Sequence, residues 1–252
     1  MLQEPYLKHI ALSGALPANA YFSALSVVKH LERMEKLSFH APITFFVGEN
    51  GVGKSTLIEA IAVAMGFNPE GGTRNFRFST ESSHSELYRY LTVARSITPS
   101  RDGFFLRAES FYNVASYIDQ LDRIPASAPP IIHSYGGVSL HRQSHGESFL
   151  SLVENRFGGN GLYILDEPEA ALSPARLMKL MILIHRLVEK NSQFIISTHS
   201  PILMTMPNAE IYQISQHSIE SVSYRETEHY LLTKDFFDSP ERMLNFLFSD
   251  EP

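Results

Sequence analysis

The chain has 252 residues, 44% of them hydrophobic, and carries a formal charge of −6 with a pI near 6.0. That apolar content builds a buried core and excludes a disordered chain. The acidic balance argues against a whole-surface grip on nucleic acid, though not against a local basic patch. With no cysteine in the sequence, a disulfide framework, a thiolate zinc site and a cysteine nucleophile are all excluded.

In chain order, the first twenty residues hold Glu4 and Pro5, a single Lys8 and only a short, broken apolar stretch. No signal peptide is expected there. Ile43–Val47 (ITFFV) lies between Pro42 and Gly48 and reads as a buried strand. Residues 55–65 place Leu57, Ile58, Ile61, Ala62 and Met65 on one face, with Gly66 positioned as a C′ residue, so a helix is expected. Residues 103–107 (GFFLR) read as a strand and Phe111–Leu121 as an amphipathic helix. The proline-rich stretch at 125–130 reads as a loop.

Residues 162–165 (LYIL) form a third buried strand. Ser173 then supplies an N-cap, with Pro174 at the first helical position. Apolar residues at helical spacing follow from Leu177 as far as Asn191. The apolar segment 177–188 is too short, and too interrupted by Lys179, His185 and Arg186, to span a bilayer. A cytoplasmic protein without a membrane segment is expected. Residues 194–197 (FIIS) are a fourth buried strand, residues 210–214 and 219–224 suggest a terminal hairpin, and Pro240–Phe248 a last helix. Strands alternating with helices imply an α/β fold whose mostly parallel sheet is covered on both faces.

Three stretches carry chemistry. Gly48-Glu49-Asn50-Gly51-Val52-Gly53-Lys54-Ser55, followed by Thr56, fits G-x-x-x-x-G-K-[ST] between a strand and a helix. The glycines let successive backbone N–H groups converge on phosphate oxygens, and the helix N-terminus adds partial positive charge. Lys54 reaches the β/γ-phosphates and the Ser55 hydroxyl ligands Mg²⁺. At the C-terminal end of the strand 162–165 stands Asp166, placed to hold the same Mg²⁺ directly or through water. Beside it, Glu167 is placed to take a proton from an attacking water. The third stretch, Gln143-Ser144-His145-Gly146-Glu147, lies between these two motifs, with Ser144 22 residues before Asp166.

That spacing resembles the signature loop of ABC-type ATPases, where transporter members carry Leu-Ser-Gly-Gly-Gln. The ending on Glu147 and the relaxed first glycine resemble the SMC, RecF and double-strand-break-repair branch, and the small stand-alone bacterial ATPases of the AAA family. Asp166-Glu167-Pro168-Glu169 with Ala170-Ala171-Leu172-Ser173 resembles that superfamily's Walker B and D-loop run. Ser197-Thr198-His199-Ser200-Pro201 resembles its switch-histidine loop. The likeness covers most of residues 40–225.

The resemblance implies one ABC-type ATPase domain over residues 1–252, with a P-loop sheet and a C-terminal β-hairpin. A helical signature subdomain, at roughly 80–158, is inserted between the Walker motifs. It implies ATP held by Gly48, Asn50, Gly51, Gly53, Lys54, Ser55 and Thr56, with Mg²⁺ on Ser55 and Asp166 and catalysis by Glu167 and His199. It also implies a head-to-tail homodimer in which Ser144, Gly146 and Glu147 close over ATP held by a second copy. An unidentified protein partner and a role in DNA repair or anti-phage defence follow by analogy. Nucleic acid binding is possible on that analogy but not indicated by charge. The alternatives are the nucleotide-binding subunit of an ABC transporter and a non-hydrolysing nucleotide-sensing module.

The sequence departs from the pattern in places. The glutamine that follows a strand between the Walker motifs is missing. Glu109 either takes its place in the Mg²⁺ shell or is a first-turn helix acid. The adenine-contacting aromatic is open among Tyr21, Phe39 and Phe76, and Arg74 and Arg77 either touch nucleotide or solvate a loop. His141 and His145 are four residues apart, but a place in an exposed loop fits them better than metal binding. About 90 residues separate Lys54 from Ser144 without charged heptads, so no coiled-coil arm is expected.

Overall fold

The computed structural model describes residues 4–76, 84–123 and 129–249. In chain order these form β1 (Leu7–Leu12), α1 (Ser26–Arg33), β2 (Leu37–Ser38), β3 (Ile43–Val47), α2 (Lys54–Ala64), β4 (Leu91–Arg95) and β5 (Asp102–Arg107). Then follow α3 (Phe111–Leu121), α4 (His145–Arg156), β6 (Gly161–Asp166), α5 (Pro174–Glu189), β7 (Gln193–Ser197), β8 (Ala209–Ile214), β9 (Ile219–Val222), α6 (Glu228–Asp238) and α7 (Pro240–Phe248). The main sheet has the order β5-β6-β7-β3-β8-β9; every pair in it is parallel except the terminal β8–β9 hairpin. A separate antiparallel sheet has the order β2-β1-β4.

Both faces of the main sheet are buried, which is why its central strands read as unbroken apolar runs instead of alternating ones. The period of two still sorts them. Phe45, Phe104, Leu106, Tyr163, Leu165, Phe194 and Ile196 point to the face covered by α3, α4 and α5. Phe46, Phe105, Leu162, Ile164 and Ile195 point to the face covered by α1, α2 and the antiparallel sheet. The β3, β6 and β7 strands therefore end together, in register, with Asp166 opposite Ser197 and Phe46 opposite Ser197.

The expected helix over 55–65 forms as α2, one residue earlier at each end, and Gly66 takes the left-handed conformation expected of a C′ glycine. Ser173 and Pro174 open α5 as expected, though the helix ends at Glu189 and not at Asn191. Within the span 80–158 a 3-10 helix (Glu86–Tyr90) precedes β4, which joins the small sheet, and β5, which is the edge of the main sheet. The described α-helices of the span, α3 and α4, follow from Phe111. The loop read over 125–130 falls largely outside the described residues, and Arg77 lies outside them too. Among the described residues no helix is long and apolar enough to cross a membrane.

Candidate nucleotide site

The phosphate loop is shaped by two close approaches. Gly48 has φ of 143°, and a Cβ there would stand 2.0 Å from the Ile214 carbonyl oxygen of the neighbouring strand β8. Gly53 has φ of 102°, and its Cβ would meet Val27 at 2.7 Å. Only glycine permits both, so the loop lies tight against α1 and the sheet. The Lys54 side chain is buried, and its ammonium donates to the carbonyls of Gly48 and Glu49, both at 2.8 Å. Burial pushes its pKa down, while Glu167, Asp166 and Glu169 oppose that.

Across the loop, β6 delivers Asp166 and Glu167. Asp166 is almost fully buried. Its carboxylate accepts from the Ser197 hydroxyl at 2.5 Å, and Arg107 Nε stands 3.5 Å away. Burial raises its pKa, against Ser197, Arg107 and Ser55. Glu167 occupies the left-handed region at φ 50°, ψ 54°, with its N–H held by Ser197. That conformation costs a non-glycine residue about 1–2 kcal/mol, and it turns the carboxylate away from the strand toward the loop. A cavity of about 230 Å³ is lined by Leu25, Asn50, Gly51, Gly53, Lys54, Ser55, Thr56 and Glu167.

Asp166 and Ser55 fit a Mg²⁺ ion. The Ser55 hydroxyl lies close enough to the buried carboxylate to lower its pKa, and two hard oxygen donors at the phosphate loop suit the ion. Among the described residues no group of three acidic or histidine side chains forms a metal cage. A Mg²⁺ here would take its other ligands from phosphate and water.

His199 closes the site from the end of β7. Its backbone N–H donates to Glu169 Oε1 at 2.5 Å. Its Nε2 faces Glu167 Oε1 at 3.5 Å, and its Nδ1 lies 2.9 Å from His229 Nε2. Burial lowers the His199 pKa, helped by Lys54 and opposed by Asp166.

The remaining candidates separate. Tyr21 is exposed and lines a cavity of about 600 Å³ with Ser55, Thr56, Glu109 and Arg107, next to the phosphate loop. Phe39 and Phe76 are core residues, the latter packed on Phe104 and Tyr117. Arg74 stacks over Phe67 and donates to Ser100, lining a different cavity. Glu109 precedes the Ser110 N-cap of α3, so it is not a first-turn acid; its carboxylate lies 3.5 Å from Arg107. His141 and His145 gather around Tyr112, at 5.8 and 5.2 Å between ring centroids.

Ser144, at the N-cap of α4, gives its N–H and hydroxyl to Glu147 at 3.1 and 2.5 Å, and Arg176 bonds the same pair. Gly146 is buried, and a Cβ on it would meet the Ala171 carbonyl at 2.8 Å. Sequence reading did not single out Arg107, whose NH1 pairs with Glu59 at 2.6 Å while its Nε reaches toward Asp166, nor His229. Arg107 ends the strand beside β6, and the parallel register that sets it opposite Asp166 is not a local signal.

Comparisons with known proteins give partial matches. A family model described as "AAA domain" matches residues 27–118, and one described as "AAA domain, putative AbiEii toxin, Type IV TA system" matches residues 138–205. No curated protein matches the chain. Among solved structures, one described as "an inward-facing conformation of a putative metal-chelate type ABC transporter" is similar at 15% identity and TM-score 0.49, covering 91% of this chain and 88% of that one. The SMC head domain from Thermotoga maritima is similar at 17% identity and TM-score 0.43, covering 87% and 99%. So is cbiO1 from Clostridium perfringens, part of the ABC transporter complex cbiONQ, at 17% and 0.43, covering 84% and 90%. The two AAA-domain matches fall on separate parts of the chain, the first spanning the phosphate loop and the second the Ser144–Glu147 turn, Asp166, Glu167 and His199.

Proposed function

We propose that the protein binds ATP with Mg²⁺, closes on it as a head-to-tail homodimer and hydrolyses it to act on a partner protein. The cavity in which Asn50, Gly51, Gly53, Lys54, Ser55 and Thr56 meet Glu167 carries this reading. It combines an anion-binding loop at a helix N-terminus with a carboxylate placed to face an attacking water.

In this reading the loop N–H groups and Lys54 hold the β- and γ-phosphates, and Tyr21 contacts the base. Ser55 and Asp166 hold Mg²⁺, which neutralises charge on the phosphates, and Glu109 orders the surrounding shell. Glu167 accepts a proton from water as the water oxygen bonds the γ-phosphorus and the β–γ bridging oxygen leaves with its electron pair. His199 offers a donor to a γ-phosphate oxygen. Ser144 and Glu147, at the exposed N-terminus of α4, present themselves to ATP of a second copy. The approach of Gly146 to Ala171 fixes the turn that presents them. Localisation in the cytoplasm goes with this reading. A role in DNA repair or defence has only the branch analogy behind it, and a charge of −6 lends DNA binding no support.

Phosphate release and ATP binding by Lys54→Ala test the reading. Lysine acts on phosphate as a point charge, and the turn itself is set by glycines. Turnover is expected to fall to background in a folded variant. Wild-type turnover in Lys54→Ala overturns the assignment of this loop.

A further inference from the structure

Resting on that ATPase reading, we infer that His229 of α6 is a positioning residue that fixes His199 as the tautomer carrying its proton on Nε2, the nitrogen facing Glu167. The two rings meet edge to face, 5.1 Å apart at 61°, with His199 Nδ1 and His229 Nε2 separated by 2.9 Å. At that distance one proton lies between the two nitrogens.

Two neutral arrangements satisfy the contact, and the surroundings choose between them. If His199 Nδ1 carried the proton, its Nε2 lone pair would face the Glu167 carboxylate oxygen at 3.5 Å. His229 would then hold its own proton on Nδ1, which is buried without a hydrogen-bond partner among the described residues. One repulsion and one orphaned N–H would result. If instead His229 Nε2 donates, His199 Nε2 carries an N–H toward Glu167, and His229 Nδ1 keeps only an unshared lone pair. The second arrangement turns the repulsion into an attraction and moves the unshared N–H from His229 to His199, where it faces the Glu167 carboxylate.

Protonation of either ring is opposed from several sides. Burial pushes both pKa values down, and Lys54 acts in the same direction on each ring. Among the described residues the buried His199 Nε2 has no hydrogen-bond partner, so its N–H is held for an acceptor that arrives in the cleft. A γ-phosphate oxygen is such an acceptor. The third group in this line is held in turn: Thr227 caps α6, its hydroxyl accepting from the Tyr230 N–H at 3.3 Å, which anchors the turn that carries His229.

The role is the one a triad's third member plays, orienting the ring and setting which nitrogen bears the proton, without touching substrate.

The test combines ¹⁵N NMR of histidine-labelled, nucleotide-free protein with steady-state ATPase kinetics on His229→Ala, His229→Gln and His229→Glu. His199 signals are assigned by their loss in His199→Asn. In the wild type, His199 is expected to show a protonated Nε2 and a bare Nδ1. Alanine should give a tautomer mixture and lower kcat on the order of 10–100-fold, as outer-sphere partners of functional histidines do, with KM and binding of a non-hydrolysable ATP analogue little changed. Glutamine, whose amide donates to Nδ1, should restore both the tautomer and most of the turnover. Glutamate, an acceptor when ionised, should restore neither. If alanine does not fold, the glutamine–glutamate pair decides. A wild-type His199 protonated on Nδ1, or glutamine and glutamate behaving alike, overturns the inference. Should the wild type prove inactive with ATP, the ATPase reading fails by itself, and the NMR tautomers still decide the role of His229.

Discussion

Two residues at the strand ends, Glu167 and His199, are each anchored through their own backbone N–H. Glu167 accepts an unfavourable φ because Ser197 fixes its N–H from the next strand. Strain of this kind persists only where the surroundings over-determine it. His199 is anchored by its own N–H to Glu169, so its ring position does not depend on the ring's polar atoms alone. Replacement by alanine should therefore leave the phosphate loop and nucleotide affinity intact. If His199 donates to the γ-phosphate, turnover should fall on the order of 10²-fold, the usual worth of one donor aimed at developing charge. Fluorescent-nucleotide titration beside single-turnover kinetics separates the two. Equal loss of binding and turnover would mean that His199 only fills space.

At the scale of elements, the helix that presents Ser144 is tied to the sheet at its far end by one carboxylate. Asp102 opens β5 and accepts from Arg156 of α4 and from the Gly158 N–H, both at 2.9 Å, and from the Tyr163 hydroxyl of β6 at 2.8 Å. Burial alone would raise its pKa, but the Gly158 N–H, the Arg156 guanidinium and the Tyr163 hydroxyl outweigh it, and the net shift is downward. A folded-state pKa below the unfolded value means that the stabilisation is complete above about 3.9, the unfolded value. It is lost as pH falls through the folded one. Asp102→Asn should cost about 1–3 kcal/mol at neutral pH, and the gap to wild type should close on acidification. Urea denaturation at several pH values measures it, and a gap independent of pH would remove the carboxylate from the account.

The same elements show what was legible in the sequence. The cores of β3, β6 and β7 were readable because burial on both faces leaves unbroken apolar runs, and the phosphate loop because its glycines are demanded by steric contact. The first strand was not, since LKHIAL lies in a small sheet where buried and partly exposed positions do not alternate. Helix α6 buries no residue fully and offers little periodic signal. The pairing of His229 with His199, and of Arg107 with Asp166, joins residues 30 and 59 positions apart through the fold. A capped turn at Thr227 was the only local hint of the first, and nothing local marks the second.

For the whole molecule, the question is what the N-terminus of α4 does beyond its own subunit. In the single chain the Ser144 hydroxyl is satisfied by Glu147 and Arg176, so contact with a second copy's γ-phosphate requires it to exchange one anionic acceptor for another. Its exposure at a helix N-terminus makes that exchange feasible. Glu167→Gln preserves side-chain size and removes the proton acceptor, a change worth roughly 10²–10⁴-fold in rate. ATP should then persist, and a dimer whose interface includes ATP should persist with it. Light scattering after size exclusion should find Glu167→Gln dimeric with ATP and Mg²⁺, and monomeric without nucleotide. Adding Ser144→Arg places a bulky side chain where the γ-phosphate must approach, and should return the protein to monomer. The Lys54 loop of the same chain would still bind nucleotide, because Ser144 does not line that cavity. A dimer that ignores ATP, or a monomer in every state, would leave the Ser144–Glu147 turn as the cap of α4 and nothing more.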